Sequence, residues 1–193
     1  MKGKIVKLTN DNDICTVEIS IDEDFDLHSD DKCIYDLIYV PDEYKETELY
    51  KAVVVSVVLP EQKYNAVMVG SIYFEDANCA VLEKQKLLIL QDDRIIQFDV
   101  VEKTVELIAE LDTLGNNFAI YRVPKGYIIY GEIEITMLDD SFHRKWAFSG
   151  KDVFVSLTRE KSFEIKNGII YVYDFEDRLY QLNFDGKEIN RLA

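Results

Sequence analysis

Asp22-Glu23-Asp24-Phe25-Asp26 crowds four carboxylates into five residues, and Asp30-Asp31 follow closely. Converging carboxylate oxygens hold hard cations, and Asp at alternating positions is how a calcium loop of the EF-hand type begins. The rest of that pattern fails. Its sixth position needs Gly for a sharp turn and is Leu27; its twelfth needs Glu and is Cys33. The run therefore predicts a mobile, solvated acidic loop. Asp22, Glu23, Asp24, Asp26, Asp30 and Asp31 become candidate contacts for a basic partner rather than metal ligands.

Other chemistry is sparsely provided. Of the two histidines, His28 lies inside the acidic run and suits a surface role, and His143 follows an acidic turn at the start of an outer strand. No Gly-x-Ser-x-Gly elbow, His-Glu-x-x-His zinc motif, Cys-x-x-Cys pair or Gly-rich phosphate loop occurs. Glu132 and Glu134 alternate on one predicted strand, and Asp174, Glu176 and Asp177 crowd a turn. Two such carboxylates could serve a glycosidase, but a chain with 37 acidic residues supplies such pairs by chance. Tyr121, Tyr127, Tyr130, Trp146, Tyr171, Tyr173 and Tyr180 can pack across strands, anchor an interface or stack on sugars. These residues assign no catalytic or metal-binding role, and no cofactor is expected.

The net charge is −15, and it is uneven: residues 1–50 hold 14 Asp and Glu against 5 Lys and Arg. So acidic a chain repels phosphate backbones and anionic headgroups, which disfavours nucleic-acid and membrane-surface binding. Three cysteines, Cys15, Cys33 and Cys79, do not make a disulfide framework. Met1-Lys2-Gly3-Lys4 leads into no apolar run of signal-peptide length, and Ala52–Leu59, the longest apolar stretch, is too short to span a bilayer. A cytoplasmic location is the expectation.

The positioning elements are strands. In residues 79–192, three units of four short apolar strands joined by polar turns follow one another at about forty residues. Leu88, Ile128 and Ile170 fall at matching places in the second strand of each unit, and Asn167-Gly168 is the strongest hairpin signal. A four-stranded meander with this period resembles a β-propeller blade, as in tryptophan-aspartate or quinoprotein-type repeats. The likeness rests on pattern, since Trp146 is followed by Ala147 rather than Asp. It implies a mostly β fold of antiparallel meander units in a small or incomplete propeller; a two-sheet β-sandwich is the alternative.

Residues 1–78 form an irregular acidic β-rich section that does not repeat the pattern. It holds a hairpin around Asn10–Asp13, a strand at Ile34–Val40, a short helix over Pro41–Lys51 and a hairpin pair at Ala52–Leu59 and Tyr64–Phe74. These strands would cover the edge that three blades leave open, either as a fourth irregular blade or as a separate small sheet. No linker composition divides the chain, so 1–193 is expected to be one domain. The function expected is a non-catalytic protein-interaction module, one version being an immunity-type inhibitor of a basic toxin. The alternatives are a carbohydrate or small-ligand binding protein, hydrolytic or not, and a subunit of a larger assembly, with self-association open.

Overall fold

A computed structural model describes residues 5–10, 15–29, 34–46, 50–73, 78–91, 93–156, 158–159 and 161–189. Strands are their dominant regular structure. The first sheet contains β1 (Val6–Thr9), β2 (Thr16–Asp22), β3 (Leu37–Tyr39), β4 (Lys51–Val58) and β5 (Lys63–Gly70), in the order β1-β2-β4-β5-β3. Two four-stranded meanders follow, β6 (Ala80–Glu83) to β9 (Thr104–Glu110) through β7 (Lys86–Gln91) and β8 (Arg94–Asp99), then β10 (Asn117–Val123) to β13 (Arg144–Ser149) through β11 (Gly126–Gly131) and β12 (Glu134–Leu138). The last sheet is β14 (Phe163–Lys166), β15 (Ile169–Tyr173) and β16 (Leu179–Asn183). Its expected fourth strand is begun by the Leu182–Glu188 bridge, and residues 190–193 lie outside the described residues.

The first section forms a fourth, irregular blade rather than a separate small sheet, and so repeats a pattern that the sequence does not display. β1, β2, β4 and β5 are an antiparallel meander like the others, and the excursion over residues 23–50 disguises its period. That excursion lays β3 parallel to β5 on the outer edge. Of the helix expected over Pro41–Lys51, the described residues hold a single 3-10 turn, Asp42–Tyr44, and residues 47–49 lie outside them. Tyr44 and Tyr50 both pack on the outer face of the first sheet; a helix would turn residues six apart to different sides.

Side-chain alternation puts the sheets in series. On β7 and β8, Leu87, Ile89, Ile96 and Phe98 join a core shared with Val17, Val55 and Met68 of the first sheet. Their neighbours Leu88, Leu90 and Ile95 face the other way and meet Ile120, Tyr127 and Ile129. On β11, Ile128 and Tyr130 in turn meet Phe163, Ile170 and Val172 of the last sheet. Sheets buried on both faces need nearly continuous apolar strands, which is why Leu87-Leu88-Ile89-Leu90 and Tyr127-Ile128-Ile129-Tyr130 read as they do. Each such side chain contributes about 1.5–3 kcal/mol on burial.

The first strands of all four sheets line one cavity of about 450 Å³, through Leu8, Val81, Ile120 and Ile165. Face-to-face packing of two sheets would not bring four edge strands together, so the arrangement is propeller-like and the sandwich alternative fails. Among the described residues no hydrophobic cluster joins the last sheet to the first. The series is open.

Asn167 and Gly168 both have positive φ, +52° and +75°, and Lys166 pairs with Ile169 across them. This is the two-residue hairpin that the pair signals. Counting from the turn corrects the alignment of units. Glu83 pairs with Lys86, Val123 with Gly126 and Lys166 with Ile169, so Leu88 and Ile128 correspond to Tyr171, not Ile170. Ile170 faces back into the preceding core.

Candidate functional site

The acidic run leaves the end of β2 and crosses the outer face of the first sheet. Phe25 packs there with Tyr35, Tyr44 and Tyr50 against Ala52, Val67 and Val69. Its ring lies edge-on to Tyr35 and Tyr50, with centroids at 5.9 and 6.3 Å. The Leu27 N–H donates to the Tyr50 hydroxyl at 2.8 Å, and the Tyr35 hydroxyl donates to the Asp22 carboxylate. Burial, that hydrogen bond and the Asp22 charge push the Tyr35 pKa up to about 12. The stretch from Asp22 to His28 is thus anchored rather than a mobile loop. Its apolar side chains point inward for the same reason that its carboxylates point out.

Asp22 and Asp26 also shape the turn, accepting from the Asp24 N–H at 3.0 Å and the His28 N–H at 2.8 Å. Glu23, Asp24, Asp26 and His28 are exposed. None of Asp22, Glu23, Asp24 and Asp26 makes an ion pair among the described residues. Asp30, Asp31 and Cys33 lie outside the described residues. Among the described residues no group of three or more His, Cys, Asp or Glu side chains could hold a metal ion.

The other carboxylate clusters do structural work. Glu132 sits before β12, not on it, and accepts from the Asn116 side chain at 3.0 Å. Glu134 is buried and pairs with Arg144 at 3.1 Å. The two do not form the expected pair on one strand. Asp174 is wholly buried and accepts from Arg178 Nε at 2.7 Å and the Tyr180 hydroxyl at 2.9 Å. Glu176 pairs with Arg178, and Asp177 with Arg159. His143 is exposed one residue before β13.

Sequence reasoning missed the cavity between the sheets, because its lining comes from strands far apart in the chain. Arg122, a cation inside the apolar strand Phe118-Ala119-Ile120-Tyr121-Arg122-Val123, was the one visible signal. It stands at the rim, held by Glu83 at 2.8 Å and Asp140 at 2.5 Å, with its guanidinium 4.8 Å from the Tyr127 ring centre. The Tyr127 hydroxyl donates to the same Glu83, and burial with that contact pushes its pKa up. Among the described residues Tyr121 is the one aromatic that lines the cavity, and no carboxylate lines it. Stacked aromatics and paired carboxylates, which a sugar site needs, do not converge there.

Among the described residues no helix is long and apolar enough to cross a membrane. No family model matches the sequence, and no curated protein matches it. Among solved structures the chain is similar to KlHsv2 with loop 6CD replaced by a Gly-Ser linker, at 7% identity and a TM-score of 0.46, covering 97% of this chain and 51% of that one. It is also similar to HIRA(644-1017), at 8% identity and a TM-score of 0.47, covering 98% of this chain and 52% of that one. The chain spans about half the length of either structure. The fold class rests on the strand pairing and sheet order rather than on likenesses of this degree.

Proposed function

We propose that this chain is a non-catalytic protein-interaction module whose acidic end docks a basic partner protein. One observation supports this above others: Glu23, Asp24 and Asp26 are exposed and make no ion pair among the described residues, on a segment fixed in place by Phe25, Leu27, Tyr35 and Tyr50. A fixed array of uncompensated charge costs little ordering entropy when a partner binds, and it steers encounter with an oppositely charged surface. Asp22 opens the same run, and Asp30 and Asp31 follow it in the sequence. The chain acts as one domain in the cytoplasm, binding neither nucleic acid nor membrane. One form of this function is inhibition of a basic toxin by covering its active site.

The test is capture of partners from the native host at low and high salt. The wild type is compared with a variant carrying Glu23→Lys, Asp24→Lys and Asp26→Lys. Exposed charge pairs are screened beyond about 8 Å at physiological ionic strength. The wild type should therefore retain a basic protein at low salt and release it at high salt, and the variant should not retain it. A partner held equally by both proteins, or indifferent to salt, would refute the proposal.

A further inference from the structure

The two ends of the sheet series are finished differently. At the first end, Val67, Val69 and Ala52 are covered by the excursion between β2 and β4. At the last end, the outward face of the β14–β16 sheet has no cover among the described residues. Ile169, Tyr171, Tyr173 and Leu179 belong to no hydrophobic cluster, and Leu179 is 39% exposed.

The register shows what this face is built to do. Tyr171 occupies the position of Leu88 and Ile128, and Tyr173 that of Leu90 and Tyr130. In both preceding sheets those positions fill the core shared with the next sheet. The last sheet therefore presents packing residues to a sheet that the described chain does not supply.

Strand pairing arranges the face in rows. Lys166, Ile169 and Asn183 form one row, Glu164, Tyr171 and Gln181 the next, and Tyr173 and Leu179 a third. The middle strand and Leu179 give an apolar stripe, and Glu164, Lys166, Gln181 and Asn183 on the flanking strands give a polar rim, as protein interfaces are built. Arg159 closes one end, 3.8 Å from the Tyr173 ring centre. Glu164 and Lys166 are exposed and make no ion pair among the described residues.

We propose that this face packs against the same face of a second copy of the chain. Take a two-fold axis lying in the interface, perpendicular to the strands and midway between the first two rows. It sets Glu164 against Lys166 of the second copy and Tyr171 against Ile169 of the second copy. Each charge then meets its opposite, and the contact is closed and isologous. The second copy's last sheet takes the place of the missing neighbour, at the angle that packed sheets adopt. This surface lies at the other end of the series from the acidic face, so either proposal can fail alone.

Sedimentation velocity of the full chain over a range of concentrations tests it. The mass should rise from 22.5 kDa toward twice that value. Glu164→Lys or Lys166→Glu alone sets like charges opposite one another and should weaken association on the order of tenfold. The double exchange should restore it, and Tyr171→Asp should abolish it. The Glu23, Asp24 and Asp26 variant should self-associate unchanged. A mass of 22.5 kDa at every concentration would overturn the proposal. A dimer indifferent to these exchanges, or a double exchange no better than the single ones, would also overturn it. A further readout needs no variant: hydrogen exchange of residues 169–173 in the wild type should slow as concentration rises, and exchange independent of concentration counts against the interface.

Discussion

At Asp174 a single carboxylate closes the turn between β15 and β16. It accepts from the backbone N–H groups of Glu176 and Arg178 at 3.1 and 3.0 Å, besides Arg178 Nε and the Tyr180 hydroxyl. Burial alone would raise its pKa, but the Arg178 and Tyr180 hydrogen bonds and the Arg178 charge outweigh it and hold the group below the usual carboxylate range. A depressed native pKa stabilises the fold above the unfolded value of about 3.9, and the contribution is lost as pH falls through the native value. Asp174→Asn should therefore be less stable than wild type at pH 7, and the gap should narrow as denaturant melts are taken below about pH 4. A gap independent of pH would show that charge plays no part. Asp174→Ala, which also strands the donors, should cost about 2–4 kcal/mol. None of this was legible in the sequence, where Asp174, Glu176 and Asp177 read as one crowded turn; only the pleat shows which of the three points inward.

Hairpins and their turns set the scale above. Gly168 at φ +75° has nothing within 4 Å of the position a Cβ would take, so Gly168→Ala should cost only the backbone strain of about 1–2 kcal/mol. Gly126, at φ +134°, has the Leu138 carbonyl oxygen 2.0 Å from that position. That oxygen belongs to the neighbouring strand, so Gly126→Ala should cost more than Gly168→Ala in denaturant melts. Equal costs would mean that the β11–β12 pairing gives way easily. The strands of the second half were legible because period-two patterns and turn residues are local signals. Asn167-Gly168 fixed its own register, whereas the same local reading slipped one residue at Ile170 because both Ile170 and Tyr171 suit a strand. β3 was visible as a strand but not as a parallel partner of β5, since nothing near Leu37–Tyr39 specifies a strand residues away. The helix expected over Pro41–Lys51 gave way to aromatic packing on the first sheet, a tertiary effect that local propensity does not encode.

For the whole molecule, four sheets in series make two unlike ends, one acidic and covered, one apolar and without a covering element among the described residues. The acidic run was legible as composition, and its anchoring by Phe25, Tyr35 and Tyr50 was not, because those rings come from different parts of the excursion. Likewise the cavity needed four first strands brought together from separate units. Deleting the anchor should separate shape from charge: Phe25→Ala keeps every carboxylate, yet should weaken retention of a basic partner in the capture experiment by releasing the run. Undiminished retention would show that charge alone suffices. The claim beneath both ends is that the last sheet is buried on one face only. Denaturant unfolding of Ile170→Ala and Tyr171→Ser, at concentrations low enough to keep the chain monomeric, tests it most directly. Ile170→Ala should lose about 2–5 kcal/mol as a core truncation, and Tyr171→Ser, whose ring is half-buried by its own sheet alone, should lose no more than about 1 kcal/mol. Equal losses, or the larger loss at Tyr171, would contradict the account.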